Sequence, residues 1–316
     1  MKILVMGAGA IGLVYGARLQ RAGEDVCFCA RGENLRALKE RGLEVKSFEG
    51  DFRLDVKATE NPHDFAPCDL ILLCVKSYDT LAAARQLQGC LAEGGAVMTI
   101  QNGVENEEFL CTVLAREAVM GGNARIGAEM IAPGKVHHTA LGTIEFGELD
   151  GRETPRGLRI AEVFQRARIL GHLTRDLKTA RWKKLMGNNS TNTISALARC
   201  TMAGMFAEPE GAALVHRLMV ETTIVARAEG AKITDEDVEA LYKLARNFSN
   251  AGDIKTSTLQ DLERGKPLEY DAISGAVLRA ARRHGLSVPA TETVHSLLKL
   301  LDANRSPDRQ GRPSAL

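Results

Sequence analysis

The stretch MKILVMGAGAIGLVYGARLQRAGEDVCFCAR (1–31) decides the fold. Ile3 to Met6 form an apolar run that reads as a buried strand. Gly7, Gly9 and Gly12 follow, spaced G-x-G-x-x-G. Ala10 to Gln20 then carry a helical period that ends at Gly23, a C-cap residue, and Asp25 to Ala30 make a second strand. Strand, glycine turn, helix and strand within one short unit are the setting in which this spacing binds a dinucleotide. Gly7 permits the tight turn, and Gly9 lets a pyrophosphate approach the backbone. Gly12 lets helix and strand pack closely, with the helix N-terminus facing the phosphates. A βα turn with no ligand would not need three glycines at these offsets. Gly7, Ala8, Gly9, Ala10, Ile11 and Gly12 are therefore the candidate cofactor loop.

The end of the second strand bears on which nucleotide binds. A site for NAD usually carries Asp or Glu there, to accept from the ribose hydroxyls. This chain has Cys29-Ala30-Arg31. A guanidinium suits the 2′-phosphate of NADP through charge-assisted hydrogen bonds, worth about 1.5–3 kcal/mol each. Glu33 is the one nearby residue that argues the other way. NADP(H) is the expected cofactor.

Working outward, DLILLCVKS (69–77) and GAVMTIQNG (95–103) read as further buried parallel strands. Their C-terminal ends carry Lys76 and Asn102, on the side of an open α/β sheet where ligands bind. Residues 43–57 look like a hairpin, and residues 135–149 like two short strands. Beyond about 150 the texture becomes helical, over 177–199, 208–230, 234–248, 253–264, 269–285 and 290–302. The expected architecture is α/β. A Rossmann-type doubly wound sheet (1–170) binds NADP, and an all-helical domain (171–316) supplies substrate contacts. The tail ANRSPDRQGRPSAL (303–316) reads as frayed.

Bulk properties narrow the class. A chain of 316 residues favours two domains. Its 41 basic and 40 acidic residues leave a net charge of +1, which gives no field for nucleic acid and no polybasic membrane patch. No apolar run reaches the ~18–20 residues of a membrane span, and the N-terminus has no signal-peptide plan. The seven cysteines lack a C-x-x-C pair and read as reduced core thiols of a cytoplasmic protein. The histidines lack H-E-x-x-H spacing, so no metal is expected. The helical domain leaves room for a homodimer, but no heptad seam specifies one.

A second stretch, WKKLMGNNSTN (182–192), sets Lys184, Asn188 and Asn192 four residues apart. At ~3.6 residues per turn such positions drift slowly around a helix, so one ammonium and two carboxamides share a side. That side is either a solvated face or the wall of a site for a small polar substrate. Lys183, about 100° away, is expected at the surface.

Taken together, GAGAIG, Arg31, VKS, QNG, RWKKLMGNNSTN and the late TSTLQDLERGKPLEYDAISG resemble the ketopantoate reductase family, in order and over nearly the whole chain. The resemblance implies that Lys184 is the catalytic proton donor and that Asn188 and Asn192 hold substrate. It also implies that Ser257 binds substrate and that Glu269 lies beside both cofactor and substrate. Arg31, Lys76, Asn102 and Ala128 match cofactor-side positions, Asn102 reaching substrate too. The Lys-Asn-Asn face would then meet the nicotinamide across an interdomain cleft. Three positions depart from the family pattern. Thr193 stands where a proline often follows the second asparagine, Met202 falls near another family asparagine, and GGNARIG before Ala128 lacks the usual histidine. These bear on the substrate more than on the reaction.

The chemistry is coherent. Hydride transfer to a 2-keto acid builds negative charge on the carbonyl oxygen, where a lysine ammonium can stabilise it and deliver a proton. Asn and Ser offer neutral donors and acceptors to a carboxylate and a hydroxyl. The expected partner is a small-molecule 2-keto acid, ketopantoate in pantothenate and coenzyme A synthesis. The alternatives are a reductase of another branched 2-keto acid and a non-catalytic NADP sensor.

Overall fold

The computed structural model describes residues 1–249 and 254–305. They divide into two compact units, Met1–Leu177 and the chain from Lys178 onward. The first unit is built on strands β1 (Lys2–Met6), β2 (Asp25–Cys29), β3 (Leu43–Ser47), β4 (Phe52–Leu54), β5 (Lys57–Thr59), β6 (Cys68–Leu73), β7 (Leu91–Thr99), β8 (Val119–Ala132), β9 (Lys135–Glu148) and β10 (Leu170–Leu173). Its helices are α1 (Ala10–Arg21), α2 (Gly32–Arg41), α3 (Thr80–Gln86), α4 (Asn106–Cys111) and α5 (Pro155–Arg166). Side by side the strands run β5-β2-β1-β6-β7-β8, all parallel. The chain moves outward from β1 through β2 to β5, then returns to lay β6 on the other side of β1. That reversal defines the doubly wound fold and places its binding crevice at the carboxyl ends of β1 and β6.

Strand periodicity divides the core. Ile3 and Val5 point into one apolar cluster with Leu13, Val14, Ala17, Ile160 and Phe164 from α1 and α5. Leu4 and Met6 point into another with Ala83, Ala84 and Leu110 from α3 and α4. Helices cover both faces, which is why β1 and β6 read as continuous apolar runs rather than alternating ones.

The far edge differs from expectation. Residues 135–149 contain one strand, β9, paired antiparallel to β8 along its length. The ladder is interrupted by bulges instead of a break: it skips Gly142, at φ +146°, and also Thr139 and Ile131. β3 and β10 flank β9, and β4 closes a hairpin with β3, as expected for 43–57. Because β10 joins this sheet, the first unit continues past residue 170 to Leu177. Helix α5 was not anticipated, although Thr154 caps it and Pro155 occupies its first turn, both ordinary start signals.

The second unit is all helical among the described residues. It comprises α6 (Leu177–Gly187), α7 (Thr193–Ala198), α8 (Met202–Ala207), α9 (Pro209–Ala228), α10 (Asp235–Ser249), α11 (Ser257–Glu263), α12 (Ala276–Arg283) and α13 (Pro289–Arg305). A π turn, Asn188–Asn192, joins α6 to α7 without a break, and a second, Asp271–Gly275, leads into α12. Ala196, Leu259, Leu262, Leu268 and Leu298 pack α7, α11 and α13 around a small apolar centre. The tail expected to fray from 303 enters α13 up to Arg305, and the rest lies outside the described residues.

Candidate active site

In the first unit the glycine turn leaves β1 and enters α1. Its three glycines serve different ends. Gly7 has φ +103°, and a Cβ there would stand 2.7 Å from the Val75 nitrogen in the loop after β6. A Cβ on Gly12 would stand 2.4 Å from the Gly7 carbonyl oxygen and 2.9 Å from Val5. Around Gly9, by contrast, nothing lies within 4 Å of such a Cβ. The backbone is thus crowded where it must turn and pack, and open where a pyrophosphate would approach. The amides of Gly7 and Ala8 both donate to the Cys29 carbonyl, which ties the turn to the end of β2. Gly9 is the N-cap of α1, has no side chain to cap it, and no acidic residue occupies the first turn. An anion is the natural complement of such a helix start. The residues present therefore fit a dinucleotide.

Other predicted residues of this unit sit at the same strand ends. Arg31, exposed, starts α2 just beyond β2, and its Nη2 donates to Gln86 Oε1 at 3.4 Å. Lys76 and Asn102, both half-buried, follow β6 and β7. Their loops are joined by groups the sequence did not single out. Gln101 Nε2 donates to the Val75 carbonyl and to Thr80 Oγ1, each at 2.9 Å, while Asn106 Nδ2 donates to the Asn102 carbonyl at 2.7 Å. Asn34 was also missed. Its Nδ2 donates to the Ala8 carbonyl at 2.7 Å, and its Oδ1 accepts from the Gly134 amide at 2.8 Å. One carboxamide thus braces the glycine turn against the β8–β9 corner, a contact across one hundred residues that local pattern cannot reveal. Ala128 stands apart from this group: β8 leaves β7 after Gly121, and Ala128 lies seven residues further on, opposite His138.

Thiols line the inner strands. Burial pushes Cys27 up to about 12 and Cys29 up to about 11, and Arg31 partly offsets the effect at Cys29. Burial raises Cys74 as well. These groups stay protonated and apolar at neutral pH, as core thiols do.

In the second unit, Lys184, Asn188 and Asn192 lie on the continuous helix from Leu177 to Ala198. From Thr179 to Ala196 only Lys183, Lys184, Gly187 and Asn188 are half-buried; every other residue is buried. Lys183, expected at the surface, is half-buried and pairs with Asp237 at 2.6 Å. Lys184 and Asn188 are thus half-buried polar residues of a largely enclosed helix. Asn192 is 7% exposed, and its Nδ2 donates to Ser257 Oγ at 3.4 Å, so two predicted substrate residues from distant parts of the chain meet. Thr256 caps α11 by accepting from the Leu259 amide, which fixes where Ser257 sits. Glu269 is buried, just ahead of the second π turn, and the two π turns touch. Met202 is buried too, and its amide donates to the Ile254 carbonyl, beside the approach to Ser257.

Comparison with known proteins agrees with this geometry. Residues 3–151 match the model of the family described as ketopantoate reductase PanE/ApbA, and residues 176–302 match its C-terminal counterpart. A 2-dehydropantoate 2-reductase of Halobacterium salinarum is 32% identical over 95% of this chain and 98% of its own. The crystal structure of 2-dehydropantoate 2-reductase from Geobacter metallireducens superposes with a TM-score of 0.90 at 36% identity, covering 95% of this chain and 99% of that one. A D-mandelate dehydrogenase solved with NADH and anilino(oxo)acetate shares the fold at 21% identity, with a TM-score of 0.90 and coverage of 96% and 99%. With both halves matched and the fold in common, the chain belongs to the ketopantoate reductase family of oxidoreductases.

Proposed function

We propose that the protein reduces ketopantoate (2-dehydropantoate) to pantoate with NADPH, a step of pantothenate and coenzyme A synthesis. The observation that carries the reading is the half-buried pair Lys184 and Asn188 on a helix that is mostly buried between Thr179 and Ala196, with Asn192 bonded to Ser257. The names of the most similar relatives support it. Gly7 to Gly12 would hold the pyrophosphate and Arg31 the 2′-phosphate, with Lys76, Asn102 and Ala128 on the cofactor side. Bound there, the reduced nicotinamide supplies a hydride to the keto carbon. The Lys184 ammonium stabilises the charge that develops on the carbonyl oxygen and delivers the proton to it. Asn188, Asn192 and Ser257 bind and orient the substrate through neutral hydrogen bonds, and Asn102 assists. Glu269, a buried carboxylate, favours a charged lysine near it and accepts from hydroxyls. The seven free cysteines suit the reducing cytoplasm.

The test is a rate measurement that follows NADPH absorbance with and without ketopantoate, repeated with NADH. Ketopantoate-dependent loss of NADPH, about 10- to 100-fold faster than of NADH, is expected. Arg31→Ala should remove that preference by about 10- to 100-fold, the equivalent of a charge-assisted hydrogen bond. Turnover of a different 2-keto acid alone would move the fault to Thr193 and Met202. Binding of NADPH with no turnover of any keto acid would overturn the reading.

A further inference from the structure

A regular α-helix puts the three polar residues on one side but spreads them around it. Each step of four residues overshoots a full turn by ~40°, so Asn192 would stand about 80° round from Lys184. In a π turn more than four residues complete a revolution, so a step of four falls short instead. The π turn at Asn188–Asn192 therefore reverses the drift gained between Lys184 and Asn188 and returns Asn192 toward the lysine's side.

π turns are rare, so something must hold this one. Local hydroxyls supply part of the hold. Ser190 Oγ donates to the Met186 carbonyl and Thr191 Oγ1 to the Gly187 carbonyl, each at 2.9 Å, and Thr193 Oγ1 donates to the Asn189 carbonyl at 2.5 Å. Thr193 thus contributes a side-chain hydrogen bond that a proline could not make. The rest comes from Asn189, which is fully buried. Its Nδ2 donates to Thr222 Oγ1 at 2.9 Å and to Thr291 Oγ1 at 3.3 Å. Both hydroxyl protons are already committed, Thr222 to the Leu218 carbonyl and Thr291 to Glu221 Oε2. Both oxygens can therefore only accept, and only a side chain with an N–H fits between them. Glu221 also accepts from the amides of Ala290 and Thr291, which anchors the chain of bonds to the start of α13.

We infer that Asn189 is a positioning residue: through Thr222, Thr291 and Glu221 it holds the π turn that aligns Asn188 and Asn192 with Lys184. The inference rests on the 2-keto acid reading above. Its test is Thr291→Val against Thr291→Ser, with Thr222→Val as a second variant that removes the other acceptor. Valine keeps the shape of threonine and removes the oxygen. Each valine variant should raise KM for ketopantoate about 2- to 10-fold, the equivalent of one hydrogen bond, with NADPH affinity by fluorescence titration unchanged. Thr291→Ser should stay within about twofold of the parent. Valine variants that lower Tm but keep the parent KM would overturn the inference and leave the network a merely structural one. A parent protein that reduces no 2-keto acid would remove the reading, and the inference with it.

Discussion

In the glycine turn after β1, the missing side chains matter: Gly7 and Gly12 leave room for backbone, and Gly9 leaves room for something else. In the helix from Leu177 to Ala198, the side chains present matter: it carries an ammonium and two carboxamides, and buried hydroxyls bond the main chain of its π turn. In the proposed function the first half would recognise through shape and the dipoles of the main chain, and the second through named functional groups. Each half is vulnerable in its own way. A shape-built turn fails when any atom is added, while a group-built helix fails when one atom is exchanged.

The comparison breaks most sharply at Lys184. Lys184→Ala removes the proposed proton donor and leaves the glycine turn untouched. Turnover should fall by about 10²–10⁴-fold, the usual worth of a positioned acid, while NADPH affinity by fluorescence titration stays at the parent value. Full activity in this variant would show that the helix supplies shape alone.

The glycines sharpen the other side. Gly12→Ala drives a methyl into the Gly7 carbonyl at 2.4 Å and should cost about 1–3 kcal/mol of stability in urea unfolding, as overpacking does. Gly9→Ala meets nothing within 4 Å, so the unfolding midpoint should not move, yet NADPH affinity should fall at least tenfold. If Gly9→Ala binds NADPH as the parent does, the open space at Gly9 is not where the phosphates lie.

Asn34 joins the two kinds of construction, since it is a side chain that holds a shape-built turn. Asn34→Leu removes two hydrogen bonds, to Ala8 and Gly134. NADPH affinity should weaken about 3- to 10-fold, with kcat at saturating cofactor unchanged. A fall in kcat with normal affinity would place Asn34's influence outside the nucleotide turn.

How far the sequence could be read follows the same division. The glycine spacing and the apolar runs of β1 and β6 are local signals, and they led directly to the parallel, doubly wound sheet, though not to its strand order. Lys184, Asn188 and Asn192 were visible as a spacing and as a family resemblance. Their enclosure was not, because burial depends on what packs around the helix. Neither was the π turn, because its hold on Asn189 comes from Thr222 and Thr291, 33 and 102 residues away. The short α8 gave too few residues for a period to show, and the single length of β9 was hidden by a bulge that looks like a strand end.

The smallest effect belongs to His295, which backs the second π turn. Its Nδ1 lies 3.0 Å from Ser274 Oγ, and its ring stacks edge-on against Tyr270, next to Glu269. Burial holds its pKa below the ordinary histidine value, and Lys299, Arg279 and Arg282 add to the effect while Asp271 opposes it. The folded protein therefore favours the neutral ring, whereas the unfolded chain takes a proton near pH 6.5. This contribution is fully present above about pH 6.5 and is lost as pH falls through the folded value. Urea midpoints measured from pH 8 to 5 should decline below about 6.5 in the parent and decline less steeply in His295→Gln. NADPH affinity should be the same in both proteins at each pH, since the glycine turn contains no group that titrates with this ring. Identical slopes in parent and variant would assign the decline to other groups and leave His295 as packing alone.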